Sequence, residues 1–143
     1  MPPVFLFTVL LLLSIHLALQ YCRALLRSVL RIEVSADVRV LAGLDNVEAH
    51  QTTYSRLCLL LKLCRPIEKR EPAAATLALR MVQLYYRVLQ LLGTLSFSVG
   101  PRLTAWFRRE RLSCVHFFAV LLEDRIVSNR ECCKEYLSNG FYV

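Results

Sequence analysis

The sequence predicts an all-α protein in which a single N-terminal transmembrane helix continues into a small cytoplasmic helical bundle. The first 22 residues contain no charged side chain, and a helix of that length can cross a bilayer. The rest of the chain is rich in Leu, Arg and Ala, and the whole chain has only 4 Gly residues. Apart from residues 94–99, it lacks the sustained apolar/polar alternation typical of a half-buried strand.

Basic residues follow the apolar stretch at Arg23, Arg27, Arg31 and Arg39. Lys and Arg are enriched on the cytoplasmic side of membrane helices. We therefore expect the N-terminus outside and the remaining chain in the cytoplasm, in a bacterial plasma membrane or the inner membrane of an organelle. Arg23, Arg27 and Arg31 are predicted to lie at the membrane interface, close to anionic lipid head groups.

A cleaved signal peptide is the alternative to an anchor. Signal peptides have a basic start, a shorter apolar segment and small residues before the cleavage site. No Lys or Arg precedes the apolar stretch, and cleavage after Gln20 would put a large side chain where a small one is preferred. Lipoprotein processing at Cys22 fits no better, since Leu19-Gln20-Tyr21 precede it. We expect the helix to be retained.

Two units are predicted, an anchor helix with a basic extension over residues 1–43 and one bundle over residues 44–143. An apolar line continues past the membrane and ends before Gly43, which favours helix termination. One helix from about residue 3 to about 42 is therefore predicted from this periodicity. The line consists of Leu26, Leu30, Val34, Val38 and Leu41.

Proline, glycine and capping residues delimit the later helices. Asp45 with Glu48 can cap a second helix, which Arg65-Pro66 ends. A third is expected from Pro72 to Gly93. Its predicted core stripe is Leu77, Met81, Leu84, Val88 and Leu91, with Arg80, Gln83, Arg87 and Gln90 opposite.

Pro101 begins the predicted fourth helix. Residues 112–122 are apolar on nearly every side, which predicts the most buried segment of the bundle. Ser128 with Glu131 has the pattern of a capping box, so a short last helix is expected from there to Asn139-Gly140.

The cysteines and histidines do not form a recognisable chemical motif. In a reducing cytoplasm, the 6 cysteines are expected to pack as small apolar residues. Cys114 and His116 point in nearly opposite directions on a helix, and the adjacent Cys132 and Cys133 would make a strained disulfide. We expect no cofactor, no metal and no catalysis. The alternative is a Cys/His-dependent redox or cofactor-binding membrane protein.

A polar stripe extends into the predicted membrane helix. Gln20, Arg23 and Arg27 all fall within about 40° of His16 around a helix. Polar groups exposed to hydrocarbon are costly, so His16 and Gln20 are predicted to contact a partner within the membrane. The alternative is that these side chains extend to the interface.

The segment of residues 102–111 combines four arginines with two aromatic residues. Such segments lie on anionic lipid or stack on single-stranded bases, or form an amphipathic helix with Leu103 and Phe107 in the core. Without Arg23, Arg27 and Arg31, the formal net charge falls from +7 to +4, which argues against nucleic-acid binding. Glu110 is expected to pair with an arginine of another helix, such as Arg80 or Arg87.

These features favour function through contacts. The sequence predicts a membrane-anchored helical interaction protein, either an adaptor or a small accessory subunit of a membrane assembly. Its expected partners are the lipid bilayer and another protein or a second copy of the chain.

Overall fold

The computed structural model describes residues 2–44, 50–65, 72–95 and 100–140. They form five helices: α1 (Pro2–Val29), α2 (Ala36–Ala42), α3 (His50–Leu63), α4 (Ala73–Leu95) and α5 (Pro101–Gly140). These ranges contain no strand, so the all-α prediction is confirmed for them. The expected cap at Asp45 and Glu48, the helix-ending Pro66 and part of residues 94–99 lie outside the described residues.

The core of the bundle is built around α5, which packs against each of the other four helices. The ring of Tyr54 stacks on Tyr86 with centroids 3.9 Å apart and meets Phe118 edge-on at 5.6 Å. Residues 112–122 supply much of this core, as expected from their apolar surroundings. Their buried members are Cys114, Val115, Phe117, Phe118, Ala119 and Leu122.

Helix α1 is long and apolar enough to cross a membrane over Pro3–Val29, and no other described helix is. Its two parts have different surroundings. Residues 3–17 are exposed, whereas Cys22 and Leu26 belong to the core. The division of the chain at residue 43 stays a prediction, and α1 itself contributes to the core of the bundle.

The prediction of one helix from residue 3 to 42 is wrong, because the chain leaves the helix between Val29 and Ala36. Contacts with α5 stabilise this break. The His116 ring nitrogen Nε2 lies 3.0 Å from the Ile32 carbonyl oxygen, and the Ser35 N–H donates to the Glu123 carboxylate at 3.1 Å. The predicted end at Gly43 is confirmed, since Gly43 caps α2 in the left-handed conformation.

The predicted core stripe of α4 is also wrong. Leu77, Leu84, Val88 and Leu91 are exposed and Met81 is partly buried. The buried face is shifted by one residue, which is a rotation of about 100° around the helix. Tyr85 and Tyr86 lie on this buried face, and the Tyr85 hydroxyl finds a polar partner in the Glu110 carboxylate, as a buried tyrosine hydroxyl usually does. The buried residues are Ala78, Val82, Tyr85, Tyr86 and Leu89.

Helix α5 does not restart at Ser128, as the capping-box pattern predicted, but continues unbroken to Gly140. Residues on either side of Ser128 hold the end of α3. Arg125 donates to the Leu61 carbonyl at 2.8 Å, and Asn129 donates to the Arg65 carbonyl at 3.1 Å. Carbonyls at a helix C-terminus need outside partners, so these contacts favour an uninterrupted α5.

The predicted end of α4 at Gly93 is two residues early, since the helix continues to Leu95. A Cβ at Gly93 would meet nothing within 4 Å. We expect Gly93→Ala to stabilise the protein by about 0.5–1 kcal/mol and to raise its melting temperature, measured by circular dichroism in mild detergent.

Gly43→Ala is the matched control. Its φ of +68° disfavours a Cβ, which would also lie 3.3 Å from the Arg56 side chain. This substitution should destabilise the protein by about 1–2 kcal/mol. Equal shifts of the two melting temperatures would contradict the placement of Gly93 inside α4 and of Gly43 at the left-handed end of α2.

Candidate functional site: the junction of α1 with the bundle

The junction is the region where the second half of α1 packs against α4 and α5. Cys22 and Leu26 are only 2% and 3% exposed there. The Cys22 thiol lies 3.8 Å from the Met81 carbonyl oxygen of α4. Because α1 enters the core directly, its orientation is fixed relative to the bundle.

A cluster of polar and aromatic side chains from three helices surrounds this contact. The Arg23 guanidinium of α1 lies 5.2 Å from the centre of the Trp106 ring of α5, a favourable cation–π distance. The Tyr85 hydroxyl of α4 donates to the Glu110 carboxylate of α5 at 3.0 Å. Arg23 is also close enough to interact with the Tyr85 hydroxyl. We call Arg23, Tyr85, Trp106 and Glu110 the junction cluster.

The junction cluster corrects the prediction for Glu110. This carboxylate is half-buried, as expected, but its α4 partner is Tyr85, in place of Arg80 or Arg87. Both of these arginines are exposed. The cation of the cluster comes from α1, so the arrangement joins the candidate membrane helix to the bundle through compensating charges. Such an arrangement limits the penalty of partly burying the Glu110 carboxylate, while Arg23 stays exposed.

An apolar groove of about 600 Å³ lies beside the junction cluster. Ile15 and Leu19 of α1 form part of its wall. Leu84, Val88 and Leu92 of α4 form another part, and Trp106 of α5 also lines it. The groove is therefore open to apolar molecules at the level of the candidate membrane span.

The predicted intramembrane residues lie outside the junction cluster. The Gln20 amide nitrogen is 2.8 Å from Nε2 of His16, and both side chains are exposed. An amide NH₂ can only donate, so His16 accepts at Nε2. The Nδ1–H of His16 and the carbonyl oxygen of Gln20 remain for other contacts. The predicted contact of this pair with a partner stays a prediction.

The three predicted interface arginines have different surroundings. All three are exposed, but Arg23 also lies against the Trp106 ring of α5. The structure thus separates the first arginine of the basic stripe, which contacts the bundle, from the next two, which point to the surroundings. Lipid head groups at Arg27 and Arg31 stay a prediction.

A second groove, of about 560 Å³, lies where α1 joins α2. Glu33, Arg39, Arg109 and His116 contribute polar groups to its lining. Within the described ranges, no three His, Cys, Asp or Glu side chains are grouped so that they could hold a metal ion. The mixed charges and the contact of His116 with the Ile32 carbonyl point to a structural role at the α1–α2 connection.

Sequence reasoning did not identify Tyr85 or Trp106 as partners of Arg23. Trp106 lies in the aromatic and basic segment of residues 102–111, whose composition indicates lipid contact as one interpretation. Tyr85 and Tyr86 are a tyrosine pair in a helix otherwise rich in leucine. Aromatic residues with a polar tip are common where an apolar region meets a polar one. The tyrosine pair was therefore a sequence signal for such a boundary on α4.

Comparison of the chain with models of known protein families, with curated proteins and with solved structures gives no match.

Cys114 provides a test of the packing at the junction. Burial raises the pKa of this thiol from 9.0 to about 12, and the nearby Glu110 carboxylate contributes to the rise. Alkylation requires the thiolate. At pH 8 we expect iodoacetamide to modify Cys114 at least about 100-fold more slowly than the exposed Cys133, as followed by peptide mass spectrometry.

Unfolding in guanidinium chloride should abolish the difference between Cys114 and Cys133. Rapid alkylation of Cys114 in the folded protein would show that the junction is open and would support the redox alternative.

Proposed function

We propose that this protein is a membrane-anchored helical interaction protein, an adaptor or small accessory subunit of a membrane assembly, without catalytic activity of its own. In this proposal α1 is a retained anchor that holds the bundle at the cytoplasmic face of the membrane. The observation that carries it is the dual environment of α1, which exposes apolar residues 3–17 and buries Cys22 and Leu26 in the core.

The packing of α1 favours an anchor over a cleaved signal peptide. Leu19 packs against the core and lines the apolar groove. Cleavage after Gln20 would remove it and expose the α4 wall of that groove to water. Exposure of apolar surface is unfavourable by roughly 25 cal/mol per Å², so the bundle is better suited to the uncleaved chain.

Polar groups within the exposed part of α1 are suited to hydrocarbon. The Thr8 hydroxyl donates to the Phe5 carbonyl at 2.8 Å, and the Ser14 hydroxyl donates to the Leu10 carbonyl at 2.8 Å. These bonds satisfy the two hydroxyl groups inside the helix, whereas the His16–Gln20 contact leaves polar atoms of that pair for a partner. A bilayer core requires such internal satisfaction, because no water is present there.

The proposed orientation depends on Arg27 and Arg31, which are exposed just after the apolar segment. Cytoplasmic flanks of membrane helices are enriched in basic residues, and anionic head groups attract them. The proposal therefore places the N-terminus outside and the bundle inside.

The proposed interaction surface includes the distal part of α5. This helix has 40 residues and is therefore about 60 Å long. Beyond Arg125 its described side chains are exposed or only partly buried. A helix that extends past its own core presents a surface for another chain, which supports an adaptor role over a self-contained enzyme.

Topology can be tested with Cys133, which is exposed on distal α5. In intact cells that express the protein, a membrane-impermeant maleimide should leave Cys133 unlabelled, and permeabilisation should allow labelling. A Cys133→Ser variant controls for the other cysteines. The protein should also stay in the membrane pellet after alkaline carbonate extraction.

Labelling of Cys133 in intact cells would reverse the proposed orientation. Release of the protein by carbonate would contradict the anchor itself.

The partner contact at His16 and Gln20 can be tested by changing both to Leu. Apolar residues insert well, so the amount of protein in the membrane should be unchanged. Each lost hydrogen bond is worth about 1 kcal/mol in a membrane, so crosslinked complexes with a partner or second copy should decrease several-fold.

A matched control replaces Thr8 and Ser14 with Leu, since their hydroxyls bond to the backbone of their own helix. Equal crosslinking yields from the two double variants would show that His16 and Gln20 make no special contact.

A further inference from the structure

We propose that the C-terminal half of α4 and the first turns of α5 enter the inner leaflet beside α1, and that acyl chains of bilayer phospholipids cover the exposed apolar stripe Leu84, Val88 and Leu91. This inference rests on the proposed function, in that α1 must span the membrane. In this arrangement the bundle lies partly within the bilayer, whereas the proposed function alone places it at the membrane face.

The length of α1 requires this position. Its continuously exposed segment, residues 3–17, has 15 residues and a length of about 22 Å. The hydrocarbon core of a bilayer is about 30 Å thick. The exposed segment alone is too short to span it, so the part of α1 that packs against the bundle must also lie in hydrocarbon.

The apolar groove shows which part of the bundle shares this depth. Ile15 and Leu19 line it together with Leu84, Val88 and Leu92. Ile15 precedes Arg23 by 8 residues, about 12 Å along the helix axis. If Arg23 lies at the inner head groups, Ile15 lies well inside the inner leaflet, and the α4 residues around the groove lie beside it.

The chemistry of α4 is suited to this environment. Leu84 and Leu91 are 60% and 64% exposed, and Val88 is exposed between them. Their spacing of four and three residues places them on one face of the helix. From Val88 to Pro101 the sequence contains no charged residue, and Arg87 and Arg102 flank this stretch. An uncharged segment between arginines resembles the charge distribution of a membrane-inserted element.

The Thr94 and Thr104 hydroxyls near the proposed membrane region are bonded within their own helices, and the exposed Arg87 and Arg102 are placed at its edge, where long basic side chains reach the head groups. The Thr94 hydroxyl donates to the Leu91 carbonyl at 2.7 Å, and the Thr104 hydroxyl donates to the Pro101 carbonyl at 2.8 Å. Both bonds are internal to their helices, as for Thr8 and Ser14 in α1. Trp106 contacts Arg23, and tryptophan and arginine together are typical of the membrane interface.

Tryptophan fluorescence in vesicles can test the proposed depth of α4. Trp106 is the only tryptophan of the chain, so Trp106→Phe provides a silent background for single tryptophans. In this background, Leu91→Trp places the probe on the proposed lipid-facing stripe. The full-length variant is reconstituted into phosphatidylcholine vesicles with or without bromine atoms on the acyl chains, which quench tryptophan on contact.

Two further variants serve as controls. Leu59→Trp places the probe at a leucine of α3 that is 58% exposed but lies away from the stripe. Leu10→Trp places it in the exposed part of α1 and reports whether α1 itself is in hydrocarbon. Circular dichroism and gel filtration in detergent verify that each variant is folded.

We expect brominated lipid to quench Leu91→Trp by more than half, as it quenches Leu10→Trp, and to leave Leu59→Trp nearly unchanged. Quenching of Leu10→Trp without quenching of Leu91→Trp would overturn this inference and leave the anchor intact. Absence of quenching at both positions would overturn the proposed anchor as well.

A second copy of the chain is the competing occupant of the stripe. If it covered Leu91, brominated lipid would not quench Leu91→Trp, and a Leu91→Cys variant would form a crosslinked dimer in the same vesicles. That pair of results would overturn the assignment of the stripe to lipid.

Discussion

The packing of Cys22 and Leu26 into the core is the contact on which the rest of the structure depends. An apolar helix joined to a domain by a flexible linker would say little about the position of that domain. Here the same helix supplies both an exposed apolar segment and buried core residues. Any environment that α1 occupies therefore constrains the positions of α4 and α5 as well.

The junction cluster adds a polar constraint to this apolar one. Charged side chains such as Arg23 and the half-buried Glu110 are expensive to remove from water. Tyr85 and Trp106 reduce that penalty in different ways, the first by donating a hydrogen bond and the second through its ring. Because the four side chains come from three helices, the cluster forms only when α1, α4 and α5 adopt this arrangement. It therefore favours one packing of α1 over rotated alternatives.

The sequence predicted the helical class and several helix ends, because Gly43, Pro101 and the apolar segments act locally. It did not predict the break before Ser35. The groups that stabilise the break, His116 and Glu123, are 84 and 88 residues away from their partners in the chain. The rotation of α4 was missed for a related reason, since Tyr86 is covered in part by Tyr54 of another helix, which stacks on it. Of the five predicted site residues, only Arg23 belongs to the junction cluster. Its partners lie on α4 and α5, and the position of these helices relative to α1 is not evident from the sequence.

The length of α5 has a mechanical consequence. From Trp106 to Gly140 the helix is unbroken and spans 34 residue steps, or about 51 Å. Transmembrane helices change their tilt with bilayer thickness. If α1 tilts by about 10°, the rigid junction makes the distal end of α5 move by about 9 Å, given the helical rise per residue. In the proposed membrane-anchored arrangement, a small change in the tilt of α1 becomes a large displacement at the surface proposed to meet another chain.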